Sequence, residues 1–551
     1  MVTKGVVSLF DSDENKISHY SKGQSIVIPA AMVNYKIVSE QSSEVFITRS
    51  DKRIIKPLSE IMQQKNVKFG TSGLRSHESK LDRAVMTALV KASLILEQQR
   101  SAYLPGQKIM VGRDYRPSSW PLQSMVEKAL KECGYQMIDA GAVPTQAVAW
   151  GAKQAKVPAL MITASHNPLD ENGVKGYRLG GKEILKSDEL DLAQVMIDIT
   201  DDIYFESKSQ QNNIEEKEND EKIKMLFIKR YLNRYSSQSL KGLKVGVWLY
   251  RSVGPGLMFE VLQGLGADVV TFGDENEFLS VDTEAIPTEI VNNLNEKIKE
   301  HDLDFVVAFD PDADRPILLH QKMGFIHGGQ LGMLVARILK IKKVVVPFTL
   351  TRAVELSGWF DQVKRTDVGS PYVIEGMNEL TPQNKFSELD GSFVKNNNSL
   401  VVGWEGNGGF LTQDLMTRDS FLPLLEVLVA YNKDPESLVK MFKELSSYVY
   451  KSDKVAGFPT SDTKKLITSL SEPRWAQDNL KELGEVSEVR KFKGAIIIIF
   501  KDEARLVLRP SGNTPDLKIY VDAVNQGADK RADQLISWAK NKAPALAKNI
   551  K

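Results

Sequence analysis

The chain has 551 residues, of which 42% are hydrophobic and 26% are charged, so it is long enough for several domains with buried cores. Lys and Arg (72) balance Asp and Glu (71), and the net charge of +1 excludes a long-range attraction to nucleic acid or acidic membranes. Cys133 is the only cysteine, so no internal disulfide can form, and no apolar run approaches the roughly 20 residues that span a bilayer. We expect a cytoplasmic monomer or homodimer without nucleic-acid or membrane partners.

Residues 1–60 mix short β-branched runs, at 24–28 and 45–48, with polar breaks, which predicts a small N-terminal β-rich appendage. The pattern then changes to strands that alternate with helices. Helices are predicted over 84–96 and 119–133, and strands over 108–112, 135–139 and 159–162. This alternation is typical of βαβ units with right-handed crossovers.

The same alternation returns twice along the chain. Strands are predicted over 243–248, 267–271, 305–309 and 343–348, with a helix after Gly254 and another over 331–339. The polar, acidic stretch 207–221 is interpreted as a loop or linker. The last hundred residues differ, with strands over 495–500, 505–508 and 517–521 and a helix over 528–540.

The fold class is therefore predicted as α/β, with three related α/β domains followed by an α+β domain. The predicted boundaries are 1–60 for the appendage and 61–225, 226–338, 339–450 and 451–551 for the four domains.

Two polar loops follow predicted strands in the first two α/β domains. The first, Thr163-Ala-Ser-His-Asn-Pro168, offers Ser165 as an acceptor for a phosphoryl group, with His166 and Lys175 as candidates for proton transfer or anion binding. The second, Asp310-Pro-Asp-Ala-Asp-Arg315, places carboxylates at alternate positions, a pattern that suits a hard divalent cation such as Mg²⁺. An EF-hand is excluded because its sixth position would be Arg rather than Gly. A plain turn remains the alternative for the serine loop.

Two further loops are rich in glycine and polar residues. In 403–409, glycines let the backbone approach a ligand, and Glu405 and Asn407 can hydrogen-bond sugar hydroxyls, although a glycine-rich hairpin would explain the pattern as well. In 509–515, the guanidinium of Arg509 and the hydroxyls and N–H groups of the turn can clamp a phosphate. Together the four loops suit phosphoryl transfer to and from a phosphorylated sugar.

From about Lys68 to Asp522 the chain resembles the α-D-phosphohexomutase superfamily, with the motifs in that family's order. The matching segments are 68–75 for the N-terminal loop, 163–168 for the phosphoserine loop, 310–315 for the metal loop, 366–370 for the specificity loop, 405–409 for the sugar loop and 509–515 for the phosphate loop. The resemblance implies four domains around a central cleft, three α/β and one α+β.

The resemblance also implies a role for each matching residue. Ser165 would carry a phosphoryl group, and Mg²⁺ would be held by Asp310, Asp312, Asp314 and an oxygen of the phosphoserine. Lys175 would act as general acid/base, assisted by Arg75 and His166, and Arg315 would offset the charge of the phosphate. The substrate-binding set would be Glu405, Asn407, Gly369, Ser370, Arg509, Ser511, Asn513 and Thr514.

The implied activity is the interconversion of hexose 6-phosphate and hexose 1-phosphate through a bisphosphorylated sugar, with a hexose 1,6-bisphosphate as activator. Mannose phosphates are the predicted substrates, and glucose phosphates or dual specificity are the alternative. Departures from common family motifs, such as Trp404 before Glu405, concern substrate choice rather than the serine or the metal ligands. Two rival hypotheses are a phosphotransferase with Asp310 as the nucleophile and a non-catalytic sugar-phosphate sensor.

Overall fold

The computed structural model describes residues 2–4, 6–10, 16–22, 24, 36–39, 44–45, 53–205, 221–381, 400–512, 515–525, 527–548 and 550. The predicted linker at 207–220, two predicted substrate ligands (Asn513 and Thr514), and most of the runs at 24–28 and 45–48 lie outside the described residues. In the part of the chain that is described, no helix has the length and apolar character needed to cross a lipid bilayer.

Most of the described residues before position 46 lie in β-strands, which is consistent with the predicted β-rich appendage. Lys16–Ser21, Val6–Phe10 and Lys36–Ser39 form an antiparallel sheet in that order, and Val2–Lys4 pairs with Glu44–Val45.

The first large sheet contains three parallel strands on one side and antiparallel strands on the other. Its order is Gln136–Ala142, Lys108–Arg113, Ala159–Ile162, Glu171–Arg178, Leu74–His77 and Lys68–Phe69, and Lys182–Glu183 also pairs with the fourth of these. The helices are Arg83–Ser101, Ser119–Glu132, Thr145–Ala155 and Lys186–Gln194, with a 3₁₀ turn at Glu78–Lys80. Asp82 caps the first of these helices by accepting a hydrogen bond from the Val85 N–H.

A small antiparallel ribbon packs against helix Arg83–Ser101 of this domain. Strands Arg53–Pro57 and Met196–Thr200 form the ribbon, and helices Leu58–Gln64 and Asp201–Phe205 flank it. Ile197 and Ile199 are buried on its inner side, whereas Ile55 and Met196 are exposed on the outer side. The alternation follows from the period of two along a strand.

The second sheet has the order Asp268–Gly273, Lys244–Leu249, Phe305–Phe309, Pro316–His320 and Gly324–Phe325. Its helices are Lys222–Leu232, Pro255–Gly264 and Thr288–Glu300.

The third sheet has the order Gln362–Thr366, Lys343–Pro347, Val401–Trp404, Phe410–Thr412 and Leu415–Asp419. Its helices are Gly328–Ile338, Ala353–Leu356, Ser370–Leu380, Phe421–Lys433 and Pro435–Leu445. Helix Gly328–Ile338, which the predicted boundary at 338 assigns to the second domain, packs against Phe421–Lys433 and Val401–Trp404. Gly332 makes room for the buried Trp404 ring, because a Cβ there would lie 2.2 Å from that ring, so this helix belongs with the third sheet.

These three sheets share one strand order, which confirms the prediction of related α/β units. In each, four consecutive strands follow one pattern, counted from Lys108–Arg113, Lys244–Leu249 and Lys343–Pro347. The first of the four lies between the second and third and is parallel to both, and the fourth pairs antiparallel with the third. The serine, metal and sugar loops each connect the third strand to the fourth. The three loops therefore occupy equivalent positions in three copies of one topology.

The fourth sheet is antiparallel, as an α+β domain requires. Its order is Tyr448–Val455, Leu517–Val524, Arg505–Pro510, Ala495–Phe500 and Val486–Phe492, and its helices are Thr460–Leu470, Pro473–Leu480, Ala528–Asn541 and Ala543–Lys548, with a 3₁₀ turn at Lys481–Leu483. Strand Tyr448–Val455 begins before the predicted domain start at 451.

Hydrophobic packing separates this last domain from the others. A continuous core runs from Leu58 to Leu445 through the three α/β units, whereas a second core, from Phe458 to Ala547, lies within the last domain. A small apolar cluster in which Phe348 meets Val507 and Tyr520 joins the two.

Candidate active site

The loops singled out in the sequence meet around one cavity of about 240 Å³. The predicted residues on its wall are Arg75, Ser165, His166, Arg315, Glu405, Asn407, Arg509 and Ser511. Sequence reasoning missed other charged residues of the wall, namely Asp282, Glu284, Arg418, Lys454, Asp516 and Lys518. Side chains from all four sheet-bearing units therefore surround a single pocket.

Ser165 has an uncommon backbone conformation. Its φ of +54° lies in the left-handed region, which non-glycine residues rarely adopt and which is concentrated at functional sites. The Ser165 N–H donates to Thr163 Oγ1 at 2.8 Å, and its Oγ donates to Asp310 Oδ2 at 2.6 Å. The serine hydroxyl and the aspartate loop are thus in direct contact.

A single buried guanidinium holds the serine loop in this shape. Arg116 donates to the carbonyls of Ser165 at 2.7 Å, Asn167 at 2.6 Å and Glu171 at 3.0 Å, and also to that of Pro168. These bonds satisfy carbonyl groups that a tight buried loop would otherwise leave without partners.

The three aspartates of the metal loop are almost completely buried and crowded together. Burial raises the pKa of Asp310 well above its usual range, and the neighbouring Asp312 and Asp314 raise it further. Burial acts in the same direction on Asp312, but the Lys175 ammonium and the hydrogen bonds from Asp310, Lys175 and Thr145 together hold the pKa of that carboxyl well below its usual range. Such crowding of carboxylates calls for a positive counter-charge.

The aspartates fit a divalent cation. One carboxylate oxygen from each lies within 4.8 Å of the others, and Asp312 Oδ1 and Asp314 Oδ1 are buried without a hydrogen bond from any described residue. Buried carboxylate oxygens without donors are ligands of the type that Mg²⁺ prefers. The donor set is therefore consistent with the predicted metal site.

Lys175 lies against the other side of the same carboxylates. Its Nζ donates to Asp312 Oδ2 at 2.7 Å and to Asp314 Oδ2 at 2.5 Å, and Thr145 Oγ1 also donates to Asp312 Oδ2 at 2.6 Å. The side chain is 1% exposed and is not part of the cavity wall. The structure places Lys175 as a counter-charge to the metal loop, and its role in proton transfer stays a prediction.

The cavity wall distinguishes between the two possible nucleophiles. Ser165 lines the cavity, whereas Asp310 is fully buried and is absent from the wall. Both carboxylate oxygens of Asp310 already accept hydrogen bonds, Oδ1 from the Arg315 N–H and Oδ2 from Ser165. This arrangement favours attack through Ser165 over an aspartyl nucleophile.

His166 follows the serine and faces several cations. Burial lowers its pKa to about 3, with Arg315 lowering it further, and its Nδ1 is buried without a hydrogen-bond partner among the described residues. The imidazole of the ligand-free site is therefore neutral near pH 7, and the residue lines the cavity.

Arg75 reaches the wall from a turn that requires glycine. Gly73 has φ +75°, and a Cβ there would lie 2.4 Å from the Val174 carbonyl oxygen. Burial lowers the pKa of Arg75 to about 10, while Asp312 and Asp314 raise it. Arg75 thus remains a cation close to the metal loop.

Arg418 connects the metal loop to the sugar loop. Its Nε donates to Asp314 Oδ2 at 3.0 Å, and its Nη1 donates to Glu405 Oε2 at 2.8 Å, with all three side chains at most 4% exposed. Nothing in the local sequence around Arg418 distinguishes it from an ordinary strand residue. Arg418 is recognised as part of the site only from the structure, in which strand Leu415–Asp419 runs beside the sugar loop.

Strand Val401–Trp404 continues through the first two residues of the glycine-rich segment 403–409, so the sugar loop begins at Glu405, where the family resemblance places it. Glu405 and Asn407 line the cavity, and Asn407 Oδ1 accepts a hydrogen bond from the Gly409 N–H at 3.0 Å. Trp404 is fully buried and packs against Phe410, so its departure from the family motif serves the core.

The specificity loop contributes Val368, and neither Gly369 nor Ser370 is on the cavity wall. Ser370 is the first residue of a helix, and its buried hydroxyl donates to Glu183 Oε1 at 2.6 Å. The Ser370 side chain is therefore engaged in a contact between units, and its role in substrate binding stays a prediction.

In the phosphate loop, Arg509 and Pro510 belong to the strand rather than to the turn, so the turn begins at Ser511. Arg509 Nη2 donates to Tyr520 Oη at 2.9 Å and Nη1 donates to the Pro510 carbonyl at 3.1 Å, which leaves its buried Nε without a partner among the described residues. The guanidinium is thus held at the cavity wall by two hydrogen bonds, and its Nε–H group does not take part in either of them.

Sequence comparisons identify two of these units. Residues 66–202 match the profile described as phosphoglucomutase/phosphomannomutase, alpha/beta/alpha domain I, and residues 226–324 match domain II of the same family. A phosphomannomutase of Sinorhizobium fredii is 32% identical over 473 residues, which cover 83% of this chain and 95% of that protein. A phosphomannomutase of Salmonella muenchen is 28% identical over 488 residues, which cover 85% of this chain and 94% of that protein.

Solved structures share the fold. A phosphoglucomutase/phosphomannomutase family protein from Burkholderia thailandensis superimposes with a TM-score of 0.63 at 18% identity, covering 87% of this chain and 97% of that one. The Paramecium phosphoprotein pp63/parafusin, a phosphoglucomutase, does so with a TM-score of 0.61 at 14% identity, covering 90% and 97%. Matches that span nearly the whole of each structure confirm the multidomain α/β architecture.

Proposed function

Because the chain belongs to the phosphoglucomutase/phosphomannomutase family, we propose that it is an isomerase that interconverts hexose 6-phosphates and hexose 1-phosphates, with mannose phosphates as its preferred substrates. The observation that carries the proposal is the 2.6 Å contact between Ser165 Oγ and Asp310 Oδ2 at a cavity lined by all four sheet-bearing units. This contact brings a hydroxyl that can accept a phosphoryl group next to carboxylates that can bind a metal ion.

The reaction begins with a phosphoryl group on Ser165. A hydroxyl of the bound hexose monophosphate attacks the phosphorus, the bond from phosphorus to Ser165 Oγ breaks, and the hydroxyl proton leaves to a base. The product is a hexose bisphosphate, which turns within the cavity and returns its other phosphoryl group to Ser165. Such transfers depend chiefly on positioning and on stabilisation of negative charge.

Side chains of this chain supply most of that stabilisation. Arg315 and Arg75 lie on the cavity wall beside the serine and the metal loop, and both suit the equatorial oxygens of a phosphoryl group. We assign the proton transfer at Ser165 to Lys175, assisted by His166. A bound Mg²⁺, held by Asp310, Asp312, Asp314 and an oxygen of the phosphoserine, would offset the charge of the transferred group.

The other end of the sugar phosphate lies toward the last domain. Arg509 and Ser511 line the cavity there. The family resemblance assigns Asn513 and Thr514, which lie outside the described residues, to the same clamp. Glu405 and Asn407 also line the cavity, which supports the proposal that they hydrogen-bond the sugar hydroxyls. The clamp must hold either phosphate, because the bisphosphate presents both ends in turn.

A comparison of substrates tests the specificity. Mannose 1-phosphate and glucose 1-phosphate are assayed separately, each with glucose 1,6-bisphosphate as activator and with Mg²⁺. We expect the larger kcat/KM for the mannose compound, and a clearly larger value for the glucose compound would replace the proposal with a phosphoglucomutase. If neither sugar phosphate is turned over, the result would support the hypothesis of a non-catalytic sugar-phosphate sensor.

A labelling experiment tests the nucleophile. Incubation with glucose 1,6-bisphosphate bearing ³²P should label the wild-type protein but not Ser165→Ala, with a linkage that resists hydroxylamine. Hydroxylamine-labile label that persists in Ser165→Ala would instead assign the phosphoryl group to an aspartate such as Asp310.

A further inference from the structure

The carboxylate of Glu183, which does not line the cavity, accepts hydrogen bonds from three hydroxyl groups. Ser72 Oγ donates to Glu183 Oε1 at 2.7 Å, and Ser370 Oγ donates to the same oxygen at 2.6 Å. Thr417 Oγ1 donates to the other oxygen, Oε2, at 2.8 Å. Glu183 is 4% exposed and each of the three donors is at most 8% exposed. These four buried residues are called the Glu183 junction below.

The Glu183 junction lies between two α/β units. Glu183 ends the short strand Lys182–Glu183 of the first unit, which packs against strand Leu415–Asp419 of the third. Ser72 comes from the N-terminal loop of the first unit, and the other two donors come from the third unit. The three hydroxyls therefore meet on one acceptor only when the two units are packed together.

Two of the donors lie on loops that form the cavity wall. Ser72 lines the cavity and lies in the same N-terminal loop as Arg75. Ser370 closely follows Val368, the residue that the specificity loop contributes to the wall. Because both serine hydroxyls donate to Glu183 Oε1, a single buried oxygen fixes the N-terminal loop relative to the specificity loop.

The N-terminal loop also packs tightly against its neighbours. A Cβ on Gly369 of the specificity loop would lie 2.8 Å from Thr71 Cγ2, and a Cβ on Gly512 of the phosphate loop would lie 3.0 Å from Thr71 Oγ1. Closely packed groups transmit a displacement instead of absorbing it. A shift of the N-terminal loop would therefore be felt by two other loops of the cavity.

Glu183 also acts on the cation that connects the metal loop to the sugar loop. Burial lowers the pKa of the Arg418 guanidinium, but its two carboxylate partners and Glu183 raise it well above the usual range. Arg418 directly follows Thr417, whose hydroxyl belongs to the Glu183 junction. The junction is thus linked to this side of the cavity by charge as well as by hydrogen bonds.

We propose that Glu183 is a positioning residue that aligns the N-terminal loop with the specificity loop, so that both loops meet the bound hexose phosphate. The inference rests on the proposed function, because the ligand is the substrate of that reaction. Glu183 acts through Ser72 and Ser370 and does not touch the ligand. A misplacement of about 1 Å can cost on the order of 10²-fold in catalysis, so buried support behind a site affects its kinetics.

Glu183→Ala removes the acceptor that the two loops share. We expect the KM for mannose 1-phosphate to rise about tenfold, as expected when a buried hydrogen-bond partner is lost. A loss of folded protein alone would lower kcat and leave the KM unchanged. Glu183→Gln should restore most of the affinity, because its carbonyl oxygen can still accept both serine hydroxyls. A wild-type KM in Glu183→Ala would overturn the proposal.

A double variant shows whether Ser370 acts through Glu183. Ser370→Ala alone should raise the KM severalfold, and it should add nothing in the Glu183→Ala background, where the hydroxyl has no acceptor to lose. A full additional effect in the double variant would show that Ser370 acts on the substrate directly, and would contradict the proposal.

Thr417→Val tests the same junction if Glu183→Ala does not fold. Valine keeps the shape of the side chain and removes only the hydroxyl that orients Glu183 Oε2. We expect a severalfold rise in the KM for mannose 1-phosphate. An unchanged KM in this variant would overturn the proposal.

Glu426→Ala is the matched control. Glu426 is also buried and accepts a hydroxyl hydrogen bond between two units, from Tyr235 Oη at 2.9 Å, and it pairs with Arg234. It does not line the cavity. Its loss should lower stability in urea and leave the KM at the wild-type value, which separates a general loss of stability from a loss of alignment.

Hydrogen exchange separates this inference from the mutase proposal, because it needs no turnover. In ligand-free Glu183→Ala, the amide hydrogens of residues 70–76 and 366–371 should exchange faster than in the wild type, and unchanged exchange in both segments would overturn the proposal. If the wild type turns over no hexose phosphate, the mutase proposal fails, while the exchange rates still decide whether Glu183 holds the two loops together.

Discussion

Arg418→Met tests whether the metal loop and the sugar loop depend on one shared cation. The guanidinium bonds to Asp314 and Glu405, and its removal leaves two carboxylates, 1% and 2% exposed, without that partner. Removing one member of a buried ion pair costs about 3–5 kcal/mol. Methionine preserves much of the side-chain volume, so the expected loss is electrostatic rather than a cavity effect.

The assay combines stability with kinetics. Urea unfolding followed by tryptophan fluorescence should show a loss of about 3–5 kcal/mol for the α/β units, whose core includes Trp404. The KM for the sugar phosphate should rise, because Glu405 is no longer oriented on the cavity wall. Arg418→Lys should recover only part of the stability and only part of the substrate affinity. The lysine ammonium lacks the several N–H groups with which the guanidinium bonds to Asp314 and Glu405 at the same time.

Lys364→Met provides the comparison. Lys364 pairs with Glu379 on the surface of the same unit, with side chains 31% and 62% exposed, so its loss should cost only about 0–1 kcal/mol. If Arg418→Met were as stable and as active as this surface variant, the two loops would not depend on a shared cation, and the reasoning would be refuted.

Three other substitutions test the remaining parts of the site. Ser165→Ala should bind mannose 1-phosphate but lose turnover by roughly 10³-fold or more, measured by calorimetry and coupled assay, and near-normal rates would remove the serine from the chemistry. Asp312→Asn should shift the Mg²⁺ concentration needed for half-maximal activity upward by about 10–100-fold, and an unaltered metal titration would place the ion elsewhere. Arg509→Ala should raise the KM about 10-fold or more, since a charge-assisted contact to phosphate is lost, and an unchanged KM would exclude it from the clamp.

The parts of the fold that the sequence predicts well are its buried strands. Ala159–Ile162, Phe305–Phe309 and Ala495–Phe500 are found at their predicted positions. Apolar runs of four to eight residues bounded by polar residues are typical of buried strands and are short for a helix. The serine and aspartate loops were each predictable as ligand-binding loops, since they follow buried strands of α/β sheets. Their contact across two different sheets was implied by the family resemblance and not by local pattern.

The residues that the sequence could not predict are charged groups whose partners lie in other domains. Arg418, Asp282 and Lys518 sit in ordinary-looking segments, and their proximity to the site arises from the packing of one unit on another. The same limitation explains Ser370, whose hydroxyl is bonded to Glu183 of the first unit. The local sequence pattern identifies a loop, but it does not show which neighbouring residues hydrogen-bond the polar side chains of that loop.

The separate core of the last domain bears on how an intermediate with two phosphates could rotate inside the enzyme. Besides the small cluster around Phe348, the joint includes bonds from Arg505 to the carbonyls of Phe348, Thr349 and Leu350. This joint could open if the hydrogen bonds from Arg505 were replaced by hydrogen bonds to water, and neither of the two large hydrophobic cores would then be exposed. The clamp would then retreat far enough for the sugar to invert, and release of the sugar would not require any part of the α/β body to unfold.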